Sequence, residues 1–109
     1  LAASTIATHP ALAIGLHRVV LANSPQGIAA AARGIGQRPD STEMLPRIDC
    51  PCLVIVGKFD AISTLEEMKS IAAKIPNAKL VTIAGAGHLT PVEQPVHTTT
   101  AIESFLASL

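Results

Sequence analysis

Apolar residues in the first third of the chain follow the spacing of helices. Between residues 10 and 36 they recur at intervals of three or four, which is the period of one helix face. A polar interruption within this stretch supplies Ser24, a typical N-cap, and Pro25, a typical first residue of a helix. Gly36 is expected near the end of this second helix, because glycine weakens a helix interior and is common just after the last turn.

The second half of the chain changes to a pattern of strands and helices. Residues 52–56 ("CLVIV") form an unbroken apolar run, which is typical of a strand buried on both faces of a parallel sheet. Residues 63–76 predict a helix that Ser63 or Thr64 caps. Residues 78–85 ("AKLVTIAG") predict a second strand.

A final helix is predicted in "PVEQPVHTTTAIESFLASL", residues 91–109. Its expected apolar anchors are Val96, Ile102, Phe105, Leu106 and Leu109. The order strand, helix, strand, helix predicts an α/β fold with two parallel strands and flanking helices. Because a proline-rich stretch precedes the first strand, we divide the chain into a helical segment at 1–38, a linker at 39–49 and an α/β part at 50–109.

Composition and charge exclude several classes of partner. Hydrophobic residues make up 49% of the chain, which is not the composition of a disordered protein. Eight basic residues balance eight acidic ones and Trp and Tyr are absent, so the features expected of nucleic-acid binding are missing. No apolar run approaches the roughly 20 residues of a membrane span, and the apolar N-terminus lacks the basic region of a signal peptide. We therefore expect a cytoplasmic protein without a nucleic-acid or membrane partner.

The two cysteines do not predict a metal site. Cys50 and Cys52 are separated by one proline, and the chain offers no second cysteine pair and no histidine at zinc-ligand spacing. Small thiols leading into a strand are typical of a protein in a reducing compartment. We predict no metal and no cofactor.

One ionisable residue follows each of the two predicted strands. Asp60 comes after "LVIVGKF" and His88 after "LVTIAGAG", 28 residues later. A parallel crossover of this length returns the second strand beside the first, and the chemistry of open α/β sheets gathers at the carboxyl ends of strands. Taken singly, Asp60 could merely cap the next helix and His88 could be an ordinary loop residue. Their joint placement favours a pair in which the carboxylate fixes the imidazole tautomer and leaves the other ring nitrogen as a general base.

The stretches "CPCLVIVGKFD" and "GAGHLTPVEQP" match two motifs of a known family. The chain resembles the C-terminal part of an α/β-hydrolase fold enzyme of the esterase and lactonase-like branch. In that family "P-x-L-V-I-x-G-x-x-D" carries the acid of a catalytic triad and "G-x-x-H-x-x-x-x-E-x-P" carries its histidine. The resemblance implies that Asp60 and His88 are catalytic, while Glu93 and Pro95 match the residues that usually follow the histidine. Residues 21–48 resemble the end of the family's helical cap, so the segment 1–38 is expected to be a cap, or lid.

The chain departs from the family at the nucleophile. None of its seven serines has a glycine two residues before and two residues after it, so the G-x-S-x-G motif is missing, as is the oxyanion-hole segment. The first residue is leucine rather than methionine. We therefore expect a fragment of a hydrolase that acts on small-molecule carboxylic esters or lactones through a Ser-His-Asp triad, and we expect the fragment alone to be inactive.

Two further expectations concern partners and alternatives. The apolar strand at 52–56 would present an unpaired edge, so we expect association with the remainder of the hydrolase core or self-association through that edge. The same acid–histidine pair also serves the carbon–carbon bond hydrolase and haloperoxidase-like branches of the fold. A non-catalytic module, either a truncated product or an interaction domain, is the alternative from outside the enzymes.

Overall fold

A computed structural model describes all 109 residues and has the predicted α/β architecture. Two parallel strands form one sheet, and the crossover helix and the helices that follow the second strand pack against it. The elements are α1 Ala3–Thr8, α2 Pro10–Leu21, α3 Pro25–Gly36, a 3₁₀ helix Thr42–Arg47, β1 Cys52–Gly57, α4 Leu65–Lys74, β2 Ala78–Ile83, α5 Thr90–Glu93 and α6 Pro95–Leu106.

The β1–α4–β2 unit brings the two strand ends together. Cys52 lies opposite Ala78 and Gly57 lies opposite Ile83, so the strands end level with each other at their carboxyl ends. The crossover helix begins at a reciprocal cap, in which the Thr64 hydroxyl accepts from the Glu67 amide and the Glu67 carboxylate accepts from the Thr64 amide. This capping box confirms the predicted helix start, and it fixes the direction in which the chain leaves the first strand.

Helix α3 follows the predicted boundaries. Ser24 caps α3 by accepting a hydrogen bond from the Gly27 amide at 3.0 Å, and the helix ends at Gly36. Neither α2 nor α3 contains a buried residue. No helix of the structure is long and apolar enough to cross a membrane. The division into segments 1–38, 39–49 and 50–109 stays a prediction; the stretch proposed as a linker contains the 3₁₀ helix.

The predicted anchors of the last helix are largely wrong. Val96, Leu106 and Leu109 are exposed, at 73%, 58% and 71%, and Ile102 is 42% exposed. Among the predicted anchors Phe105 alone is half-buried, and the rest of the inward face of α6 carries the buried Thr98 and the half-buried Ala101. A threonine serves at this buried position because its hydroxyl donates to the Thr90 carbonyl at 3.0 Å, which satisfies the polar group.

Candidate active site

The loop after β1 is tied to the loop after β2 by backbone hydrogen bonds. The Lys58 amide donates to the Ile83 carbonyl and the Phe59 amide donates to the Ala86 carbonyl, both at 2.9 Å. Gly57 is required at this crossing, because a Cβ there would lie 2.0 Å from the Gly87 carbonyl oxygen. The two loops therefore leave the sheet side by side and carry their side chains to the same place.

The Asp60 carboxylate uses both of its oxygens. Oδ1 accepts from the amides of Ile62 at 2.8 Å and Ser63 at 3.0 Å, which fixes the side-chain orientation. Oδ2 lies 2.9 Å from His88 Nδ1. The side chain is only 5% exposed, and this burial raises the pKa of Asp60, but the hydrogen bonds from His88, Ile62 and Ser63 lower the pKa more. The net result is a pKa below the ordinary value, so the carboxylate stays ionised at neutral pH.

His88 stands on a turn that presents its ring toward solvent. Gly85 adopts φ +73°, a left-handed conformation that suits glycine. The His88 side chain is 42% exposed, and its hydrogen bond with the protein is made through Nδ1. Because an ionised carboxylate only accepts, the proton of the neutral ring lies on Nδ1 and the lone pair lies on Nε2. The predicted proximity of Asp60 and His88 is therefore met, and the arrangement suits a general base; the catalytic roles themselves stay predictions.

Glu93 provides a second buried carboxylate beside His88. The sequence identifies Glu93 only as a motif position and does not predict these contacts. Its Oε1 accepts from the amides of Gly87 at 3.0 Å and Leu89 at 3.1 Å. Its Oε2 accepts from the Ala2 amide at 2.7 Å and the Thr5 hydroxyl at 2.8 Å. Burial raises the pKa of Glu93, but the four hydrogen bonds outweigh it and hold the pKa below the ordinary value.

An apolar cleft of about 380 Å³ lies next to the Asp60 loop. It is lined by residues 1–4, by Phe59 and by Ala61. The side chains on either side of Asp60 in sequence thus form one wall, and the N-terminal residues form the other.

No metal-binding arrangement accompanies these groups. No three or more His, Cys, Asp or Glu side chains are grouped so that they could hold a metal ion. Cys50 and Cys52 are both free thiols with their sulfur atoms 4.0 Å apart.

A parallel β-α-β unit with an acid–histidine pair at the carboxyl ends of its strands is the arrangement of an α/β-hydrolase core. Comparison with known proteins agrees: residues 22–108 match the family of α/β-hydrolases described as TAP-like protein. The chain belongs to this family.

Several individual hydrolases of this fold are similar to the chain. A thermophilic esterase from Thermogutta terrifontis is 47% identical, with a TM-score of 0.93 over 97% of this chain and 39% of its own. A pimeloyl-[acyl-carrier protein] methyl ester esterase from Xanthomonas oryzae pv. oryzae is 33% identical over 67% of this chain and 29% of its own length. Est816, described as degrading N-acyl homoserine lactones, is 25% identical with a TM-score of 0.78 over 96% of this chain and 42% of its own. The chain thus spans less than half the length of each of these relatives.

Proposed function

We propose that this chain supplies the acid and the histidine of a hydrolase that cleaves carboxylic esters or lactones through a Ser-His-Asp triad. The observation that carries the proposal is the 2.9 Å contact between His88 Nδ1 and Asp60 Oδ2, with the rest of the ring exposed. The esterases and the lactone-degrading enzyme among the similar proteins support this substrate class.

The proposed reaction passes one proton through His88 in each of its two halves. Nε2 removes the proton of a serine hydroxyl as the serine attacks the substrate carbonyl, and the imidazolium then donates that proton to the departing alkoxide oxygen. In the second half, Nε2 removes a proton from water, which attacks the acyl-enzyme, and returns it to the serine. Asp60 remains ionised throughout and stabilises the imidazolium, for which its lowered pKa is suited.

The serine and the oxyanion donors come from outside the 109 residues in this proposal. The printed sequence has no G-x-S-x-G motif, and the acid and histidine alone cannot form an acyl-enzyme. The apolar cleft beside Asp60 would take a hydrocarbon part of the substrate, because five of the six residues that line it are hydrophobic.

The free edge of β1 is the proposed attachment point for the missing part of the core. β1 pairs with β2 on one side only, and four of its six residues are half-exposed. An unpaired apolar strand edge is a template for another strand, which would also cover these side chains. We therefore place a strand of the remaining hydrolase core against residues 52–56.

A chimera tests the function. In it, this chain replaces the matching 39% of the Thermogutta terrifontis esterase, which it superimposes on with a TM-score of 0.93. We expect the isolated chain to leave short-chain nitrophenyl esters unhydrolysed above buffer and the chimera to hydrolyse them. His88→Ala should remove most of that activity, whereas His97→Ala, at an exposed site on α6, should not. If the isolated chain hydrolyses esters and this activity depends on His88, the proposal that the serine lies outside the 109 residues is contradicted.

A further inference from the structure

Glu93 contacts the histidine loop and the N-terminal segment through different atoms. Oε1 receives the amides of Gly87 and Leu89, which are the residues immediately before and after His88. Oε2 receives the amide of Ala2 and the hydroxyl of Thr5. The carboxylate therefore has four donors, and its two oxygens serve two separate parts of the chain.

The two Oε1 bonds restrain the backbone on both sides of one side chain. A histidine on a loop can rotate about its backbone as well as its side-chain torsions, and each rotation would move Nδ1 away from Asp60. Holding both flanking amides on one charged oxygen removes the backbone freedom, because hydrogen bonds to an ionised acceptor are stronger than neutral ones. Space at this point is also limited, since a Cβ on Gly87 would lie 3.2 Å from Oε1 and 2.6 Å from the Ala2 nitrogen.

We propose that Glu93 is a positioning residue for His88: Oε1 orients the imidazole toward Asp60, and Oε2 anchors the same loop to helix α1. This inference rests on the proposed function, because it assigns Glu93 a part in that site. It differs from a purely structural role in one respect. Loss of Oε1 should loosen the His88–Asp60 pair in molecules that are still folded, whereas loss of an Oε2 partner should only lower stability.

The test measures the pair by nuclear magnetic resonance in the 109-residue chain, in whatever assembly it forms. The first readout is the rate at which the His88 Nδ1 proton exchanges with water. The second is the pKa of Asp60, followed through its carboxyl carbon, since the His88 hydrogen bond helps to lower that pKa. Neither readout requires hydrolysis, so a failure of the inference is distinct from a failure of the proposed function. His97 is an internal reference and Glu103→Gln, at an exposed site on α6, is the matched control.

Four variants should fall in a definite order. Glu103→Gln should match the wild type, and Thr5→Val should leave both readouts near wild type while lowering the melting temperature. In Glu93→Gln the side chain has one neutral amide oxygen in place of two charged oxygens, so it should hold the Gly87 and Leu89 amides less strongly. Proton exchange at His88 should therefore be faster than in Thr5→Val. Glu93→Ala removes both Oε1 bonds and should give the fastest exchange, at least about tenfold above wild type, because a single hydrogen bond to a charged group is worth about that factor. The pKa of Asp60 should rise toward its ordinary value in the same order.

Two results would overturn the inference. One is a Glu93→Ala variant that folds and keeps the wild-type exchange rate of the His88 Nδ1 proton and the wild-type pKa of Asp60. The other is Thr5→Val disturbing His88 as much as the Glu93 variants do, which would make the N-terminal anchor the cause. If Glu93→Ala does not fold, the comparison of Glu93→Gln with Thr5→Val decides, and equal exchange rates in these two variants would refute the role of Oε1.

Discussion

Asp60→Asn is expected to reverse the tautomer of His88 while leaving the fold in place. Asparagine has the same shape, and its carbonyl oxygen can keep the Oδ1 bonds from the amides of Ile62 and Ser63. Its NH₂ group then takes the place of Oδ2 and donates to His88 Nδ1. Nδ1 becomes an acceptor, the ring proton moves to Nε2, and the nitrogen that faces solvent loses the lone pair it needs as a base.

The structure sets the size of each effect. One charge-assisted bond, His88 Nδ1 to Asp60 Oδ2, is replaced by a neutral one, and His88 is 42% exposed, so solvent screens part of the interaction. We expect a loss of about 1–2 kcal/mol in the free energy of unfolding. The loss in kcat should be much larger, about 10⁴-fold, which is the effect of the wrong tautomer in a serine-protease triad.

Two assays separate these effects. Nitrogen chemical shifts of the His88 ring in the isolated chain report which nitrogen carries the proton, and ester hydrolysis by the chimera reports kcat. Asp49→Asn is the control, because Asp49 is exposed and its side chain makes no hydrogen bond. A neutral His88 in Asp60→Asn that keeps its proton on Nδ1, or a kcat within tenfold of the parent chimera, would refute the tautomer argument.

Three other outcomes are expected. Asp60 and Glu93 both have pKa values below the ordinary 3.8 and 4.5. The stability that they contribute should therefore be present above about pH 4.5 and fall as the pH drops through their folded-state pKa values. A free energy of unfolding in urea that is as large at pH 3 as at pH 7 would contradict this. Gly57→Ala should lower the free energy of unfolding by at least about 1–3 kcal/mol through a backbone collision, whereas Gly15→Ala, with open space around it, should raise it by about 0.5–1 kcal/mol. Equal melting temperatures of the two variants would contradict the predicted collision. Sedimentation of the purified chain should show association at micromolar concentration, and a compact, cooperatively unfolding monomer would speak against the free β1 edge.

The parts of the site that sequence could predict are those whose signal is local. The crossover places Asp60 and His88 through a strand, a capped helix and a second strand, and each of these has a pattern within about ten residues. The Ser24 cap of α3 and the Thr64 cap of α4 were predictable for the same reason, since a cap bonds to an amide three residues away.

The parts that sequence could not predict depend on distant contacts. Glu93 bonds to Ala2 and Thr5, which are 91 and 88 residues away, and no local pattern indicates that pairing. Hydrophobicity alone predicts most of the inward face of α6 wrongly. In the structure a threonine at position 98 is buried through its bond to the Thr90 carbonyl, and larger aliphatic residues remain exposed.

In the proposed function, His88 is held by Asp60 and exchanges protons with a serine outside these 109 residues. A crystal structure of the chimera after reaction with a phosphonate ester would show this proton-transfer geometry, because the adduct on the serine mimics the tetrahedral intermediate. We expect His88 Nε2 within ~3 Å of an oxygen on phosphorus or of the serine oxygen, with Nδ1 still 2.9 Å from Asp60 Oδ2. An adduct that forms with the His88 ring turned away from the serine, or with another residue in that position, would contradict this expectation.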